Sequence, residues 1–285
     1  MSPSLLSKGI YATIAYAFIM SIAALAVKVV QQEIAVITLV FWQSILCLLL
    51  LLPQQRGHWK MHPAFVWKVH FLRSMGGFTG FIFYYYALNH IPLVEASLLR
   101  SCAPLCVPFV VLIMHRTRIP VRRWLPLIVG FVGVIFIIQP TPTHVNFWHL
   151  IGLTSAVGLA FSMVTTRMLS KEVRSEETMT IYFAVSAFLS SIVALFQNES
   201  LYVPLSLFVW VGVVAGALYI GMFLYTKAYT YAPASVVSPI SYIGVVFSGV
   251  WGWLIWGHIP NLLAVLGMIF IFASILYSAR LSRRS

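Results

Sequence analysis

The chain has 285 residues, 61% hydrophobic and only 8% charged, against about 25% charged in soluble domains. That excludes an aqueous globule. A net charge of +12 would point to nucleic acid in a soluble protein, but the placement of the cations excludes that partner here.

Lys8 is followed by an apolar run from Gly9 to Val27 without a small-residue cleavage site. The run is too long for a signal-peptide core and reads as a retained first helix. Similar apolar runs of about 18–25 residues recur to the end of the chain, the length a helix needs to cross about 30 Å of hydrocarbon. Hydropathy and breakers predict ten spans, near 9–30, 34–52, 66–89, 93–114, 122–139, 148–170, 178–197, 205–230, 234–256 and 261–279. Short connections such as "NHIP", "QPTPTH" and "GHIPN" separate them. Three cysteines, Cys47, Cys102 and Cys106, all fall within these spans and read as small buried fillers.

The cations segregate. Lys8, Arg56, Lys60, Lys68, Arg116, Arg118, Arg122, Arg123, Arg167, Lys171, Arg174, Arg280, Arg283 and Arg284 lie at one set of span ends. The opposite connections carry none beyond Lys28 at a helix end. This is the positive-inside pattern, and it places both termini in the cytoplasm with an even number of spans. Attraction to anionic headgroups accounts for the rest of the basic balance.

The segment "GFIFYYYALNHIPLVEAS", Gly80 to Ser97, aligns without gaps onto "GMFLYTKAYTYAPASVVS", Gly221 to Ser238. Gly80 meets Gly221, Tyr84 meets Tyr225, Pro92 meets Pro233 and Ser97 meets Ser238. The chain thus divides into two five-helix repeats, 1–140 and 141–285. Five is odd, so the second repeat enters the membrane from the other side. The expected fold is an all-α integral membrane bundle of ten transmembrane helices in two inverted repeats, with a substrate site near the midplane between them.

With "YYYALNHIPLVEASLLRSCAPL" and "GFVGVIFII" in the first half, and "YTKAYTYAPASVVSPISYIGVVFSGVWGWLIWGHIP" and "LGMIFIFASIL" in the second, the chain resembles the drug/metabolite transporter superfamily of the ten-helix type with two EamA-like repeats. The likeness covers nearly the whole chain. It implies carrier-mediated movement of small metabolites, often export, through a central cavity. Two departures stand out. A Gly-Glu pair usual at the ends of helices four and nine is replaced by "MHRTRIP" and "GHIP", and an Arg common in the second helix is replaced by Gln43.

Five ions remain inside the spans: Lys28, Arg73, Glu95, Arg100 and Lys227. An ionisable side chain at mid-helix costs about 2.5–3.5 kcal/mol on insertion scales, so each needs a reason. By position, Lys28 and Glu95 fall toward the outer face, and Arg73 and Lys227 toward the cytoplasm. Arg100 is deepest, about 10 Å in. Lys28 and Lys227 can snorkel, Arg73 can bind backbone carbonyls, and Glu95 suits the first turn of its helix. Glu95 and Arg100, five apart, lie on different faces and are not expected to pair. Four cations against one carboxylate make a positive cavity, and a guanidinium fork suits a carboxylate or phosphate. The expected substrate is a small anionic or zwitterionic metabolite such as an amino acid, organic acid or nucleotide-like compound. Arg100, Glu95, Lys28, Arg73, Lys227 and Gln43 are the candidate contacts, with Trp42, Tyr84 and Tyr225 among the aromatics that could stack on it.

Gly76 and Gly80, and Gly212 and Gly216, have the GxxxG spacing of close helix crossings. A membrane-embedded enzyme is the main competing class, yet its best motif is a single "HWKMH", and the chain contains no Asp. A channel or lipid scramblase shares the apolar architecture. The chain is expected to be a non-enzymatic carrier without metal or cofactor. Its expected place is a bacterial inner membrane, as monomer or homodimer, with the bilayer and a small-molecule substrate as its partners.

Overall fold

The computed structural model describes residues 3–55, 62–116, 124–138, 147–169, 172–231, 237, 240–258 and 260–283. Among these there are eleven α-helices and one 3-10 turn at Leu52–Gln55. The helices are α1 (Pro3–Val30), α2 (Val36–Leu51), α3 (Ala64–His90), α4 (Leu93–Ser101), α5 (Ala103–His115), α6 (Trp124–Ile138), α7 (Phe147–Leu169), α8 (Ser175–Gln197), α9 (Leu205–Tyr231), α10 (Ile243–Trp256) and α11 (Leu262–Arg283). Six stretches are long and apolar enough to cross a membrane: Leu6–Val30, Val36–Gln54, Leu93–Met114, Phe147–Leu169, Ser175–Gln197 and Leu205–Ala228. Large apolar side chains such as Phe196, Leu205, Val209 and Leu262 stand exposed on the bundle surface, as lipid-facing residues must.

The predicted fourth span is broken. Pro104 has no N–H, and its ring would collide with the Arg100 carbonyl if the helix continued. The chain therefore turns at Cys102, φ −72° and ψ −3°, and Leu105 N–H bonds to Cys102 O at 2.9 Å. That tight turn diverts the donor that would have served Ser101 O in a regular helix. The Tyr242 hydroxyl donates to it instead, at 2.7 Å. Tyr242 itself precedes α10 in a similar turn, with Val245 N–H bonded to its carbonyl at 2.9 Å. The predicted ninth span thus has its own turn at Tyr242. Pro92 stands at the α3–α4 junction as expected; the corresponding Pro233 lies outside the described residues.

Helix packing is led by α3 against α7, α1 against α9, α6 against α11 and α2 against α8. Secondary contacts join α4 to α7 and α10, α1 to α10, α3 to α8 and α2 to α9. Glycine makes the α3–α7 crossing possible: a Cβ on Gly158 would lie 2.7 Å from Gly80 N and 2.9 Å from Gly76 O. On the α9–α1 crossing, Gly221 faces Met20, whose Sδ would be 2.7 Å from an added Cβ. The expected crossing at Gly212 and Gly216 does not form among the described residues, since none of them lies within 4 Å of either position. The spacing is there, but no described helix packs on it.

Candidate functional site

One end of the bundle gathers the C-termini of α1, α3 and α10 with the N-termini of α4 and α7. Lys28, in the last turn of α1, donates from Nζ to the carbonyls of Leu88 at 2.6 Å and Ile91 at 2.8 Å. These carbonyls end α3, where a cation complements both the unsatisfied acceptors and the helix dipole. Trp256 lies 5.6 Å from the same ammonium. Glu95, in the first turn of α4, accepts from His149 Nε2 of α7 at 3.0 Å. At the other end His62 pairs with Glu177 at 2.7 Å, both largely buried.

The middle of the bundle is arranged differently. Arg100 is half-buried one residue before the α4 C-terminus, about two turns in from the Lys28 end. Its guanidinium carbon lies 4.4 Å from the Phe81 ring and 4.6 Å from the Tyr84 ring, and Nη1 donates to Gly80 O at 3.2 Å. Among the described residues no carboxylate lies within ion-pair distance of Arg100. Around it the polar groups form short chains. Tyr84 and Ser97 hydroxyls meet at 3.1 Å, Ser97 donates to Ser248 of α10 at 3.2 Å, and Tyr85 donates to Gln43 Oε1 at 2.7 Å. Two chemistries meet there: a guanidinium with one carbonyl partner among the described residues, and aromatic faces against it.

The nine predicted residues therefore separate into groups. Arg100 and Tyr84 touch, and Gln43 joins them through Tyr85, which is buried beside Tyr84 with ring centroids 6.0 Å apart. Arg73 lies further along α3, stacked at 4.3 Å on Tyr182. Glu95 and Lys28 sit at the end of the bundle, and Glu95 and Arg100 do not pair. Trp42 donates from Nε1 to Leu201 O at 2.8 Å and packs edge-on against Phe208, which ties α2 to the start of α9. Tyr225 packs on Tyr16 at 5.2 Å, and Lys227 stands near the Phe223 and Tyr231 rings of its own helix. Phe81, Tyr182, Ser248, Tyr242 and His149 escaped the sequence reading. An apolar chain carries dozens of such rings and hydroxyls, and only tertiary placement singles these out.

The family model described as the EamA-like transporter family matches residues 7–139 and 146–280. The pseudopaline exporter of Pseudomonas aeruginosa is 28% identical over 284 residues, 97% of each chain. An S-adenosylmethionine uptake transporter of Rickettsia bellii is 24% identical, over 73% of this chain and 71% of that one. A riboflavin transporter of Vibrio cholerae is 23% identical, over 88% and 81%. A crystal structure shares the fold with a TM-score of 0.63 at 18% identity, covering 100% of this chain and 99% of the other.

Proposed function

The chain belongs to the EamA-like transporter family, and from that premise we propose that it is an alternating-access carrier exporting a small metabolite through an acidic group held by Arg100. It is a multi-pass membrane transporter, not an enzyme. The observation that carries the proposal is the Arg100 guanidinium, half-buried between Phe81 and Tyr84 with a single carbonyl partner among the described residues. Placing such a cation inside a span costs about 2.5–3.5 kcal/mol, and one cation–π platform offsets about 1–2 kcal/mol of that. A carboxylate or phosphate on a substrate supplies the missing partner, bidentately. An amino acid, organic acid or nucleotide-like compound meets this requirement. Likeness to an exporter along 97% of the chain supports the outward direction.

The mechanism rests on two inverted repeats, residues 1–140 and 141–285. Their packing supports this reading. Renumbering each span by five turns the α3–α7 contact into α9–α1, α3–α8 into α9–α2 and α4–α7 into α10–α1, while α2–α8, α4–α10 and α6–α11 map onto themselves. The aligned Gly80 and Gly221 both face such exchanged crossings. The repeats rock about the turns at Cys102 and Tyr242, which the Tyr242 hydroxyl links by donating to Ser101 O. The positive-inside pattern of the cations supports a bacterial inner-membrane orientation with both termini and the Arg116–Arg123 loop in the cytoplasm.

Counterflow in proteoliposomes against labelled amino acids, organic acids, nucleotides and amines tests the assignment. Acidic compounds are expected to exchange in a saturable manner, and a preference for amines contradicts it. Single cysteines along α4 and α10 are expected to react from one face at a time, and reaction from both faces at once marks a channel.

A further inference from the structure

We infer that Arg73, with His70 and Ser74, forms a second acid-binding station, so that the exported compound carries two acidic groups. This rests on the assignment of Arg100 to the first. Arg73 is only 7% exposed, yet its Nε and Nη1 have no hydrogen-bond partner among the described residues. The same holds for both ring nitrogens of His70 and for Ser74 Oγ, all buried on one turn and a half of α3. A guanidinium can only donate, and a hydroxyl and an imidazole can each supply one more donor. The nearby carboxylate of Glu177 is already held by His62 at 2.7 Å. What complements such a donor cluster is an oxyanion.

The two guanidiniums are linked by one aromatic run. Arg73 stacks on Tyr182 at 4.3 Å, Tyr182 lies 6.3 Å from Phe81, and Phe81 carries Arg100 at 4.4 Å. Gly77 permits this arrangement, because a Cβ there would meet Tyr182 Cε2 at 2.7 Å and Arg73 Nη1 at 3.2 Å. The Arg73 fork therefore reaches the level of Gly77, while Arg100 is held at Gly80 O. With three residues between these levels and the rings between the forks, the charges stand on the order of 10 Å apart. Two like charges at that distance, with no carboxylate in ion-pair distance of either among the described residues, repel each other in a medium that screens poorly. A dianion bridging them relieves both. The flat faces of Tyr182 and Phe81 suit the chain that joins its two acids.

The test is binding of straight-chain dicarboxylates, from malonate to suberate, to the full-length protein in lipid nanodiscs, each compared with the monocarboxylate of the same chain length. One dicarboxylate length is expected to bind at least about tenfold tighter than its monocarboxylate, a step of about one good charge-assisted contact. Arg73→Gln should abolish that preference, so that within the variant each dicarboxylate binds no tighter than its monocarboxylate, whereas Arg100→Gln should weaken the binding of both. Arg73→Lys keeps the charge without the fork and should reduce the preference several-fold, which covers the case in which Arg73→Gln does not fold. Equal binding of mono- and dicarboxylates, or a length preference that survives in the Arg73 variants, overturns the second station while leaving Arg100 in place. Failure of every acid to bind the parent protein overturns both.

Discussion

Lys28 and Arg73 are both buried cations within apolar helices, and their surroundings are opposite. Lys28 spends its charge on the two carbonyls that end α3, and Glu95 beside it is met by His149. Among the described residues Arg73 has two donors without partners and an aromatic face, and Arg100 one carbonyl and two rings. A cation whose donors are consumed by backbone holds helix ends together. A cation whose donors are left over at the centre of the bundle is stabilised by something that arrives and leaves. On the proposed mechanism the end where Lys28 is held by carbonyls serves as a gate, and the middle around Arg100 and Arg73 as the binding site.

The largest effect expected from this contrast is on transport. Arg100→Ala should reduce apparent affinity about 10–100-fold, the scale of a lost charge-assisted contact of about 1.5–3 kcal/mol; Arg100→Lys should fall between. Stability sharpens the comparison through opposite signs. Lys28→Met removes two charge-assisted bonds and should lower unfolding stability by about 1.5–3 kcal/mol. Arg73→Met removes a buried charge without a counter-ion and should raise it by about 1–2 kcal/mol. Melting midpoints of the two variants in one detergent check this, and equal destabilisation by both would break the distinction. Smaller still is the crossing. Gly158→Ala should cost about 1–3 kcal/mol because its Cβ meets backbone, which cannot rotate away. Gly212→Ala should be neutral or stabilising by up to about 1 kcal/mol. Tyr242→Phe removes the donor to Ser101 O and should cost about 0.5–1.5 kcal/mol. Its readout is the melting midpoint in the same detergent.

Much of the architecture was legible from the sequence, because membrane spans announce themselves by length and apolarity. Helix starts and ends such as Leu93, Gln197 and Leu205 fall where the breakers put them. The α4–α5 break was not read, although Pro104 is its cause, because a proline in a long apolar run is compatible with a kinked continuous helix. Gly212 and Gly216 misled for the converse reason: GxxxG specifies a flat face but not a neighbour. At the site, the isolated charges were found one by one, since each is conspicuous in a chain with 8% charged residues. Their partners were not. Phe81 and Tyr182 come from different helices, and His149 reaches Glu95 from 54 positions away, so no local pattern connects them.

Arg100 is proposed to hold the substrate, and Lys28 to hold the fold. Counterflow of a labelled acid and the melting midpoint, measured on the same Arg100→Ala preparation in proteoliposomes and detergent, test this division most directly. A midpoint close to that of the parent protein together with loss of counterflow is expected. An Arg100→Ala protein that exchanges the acid at the parent's rate would contradict it.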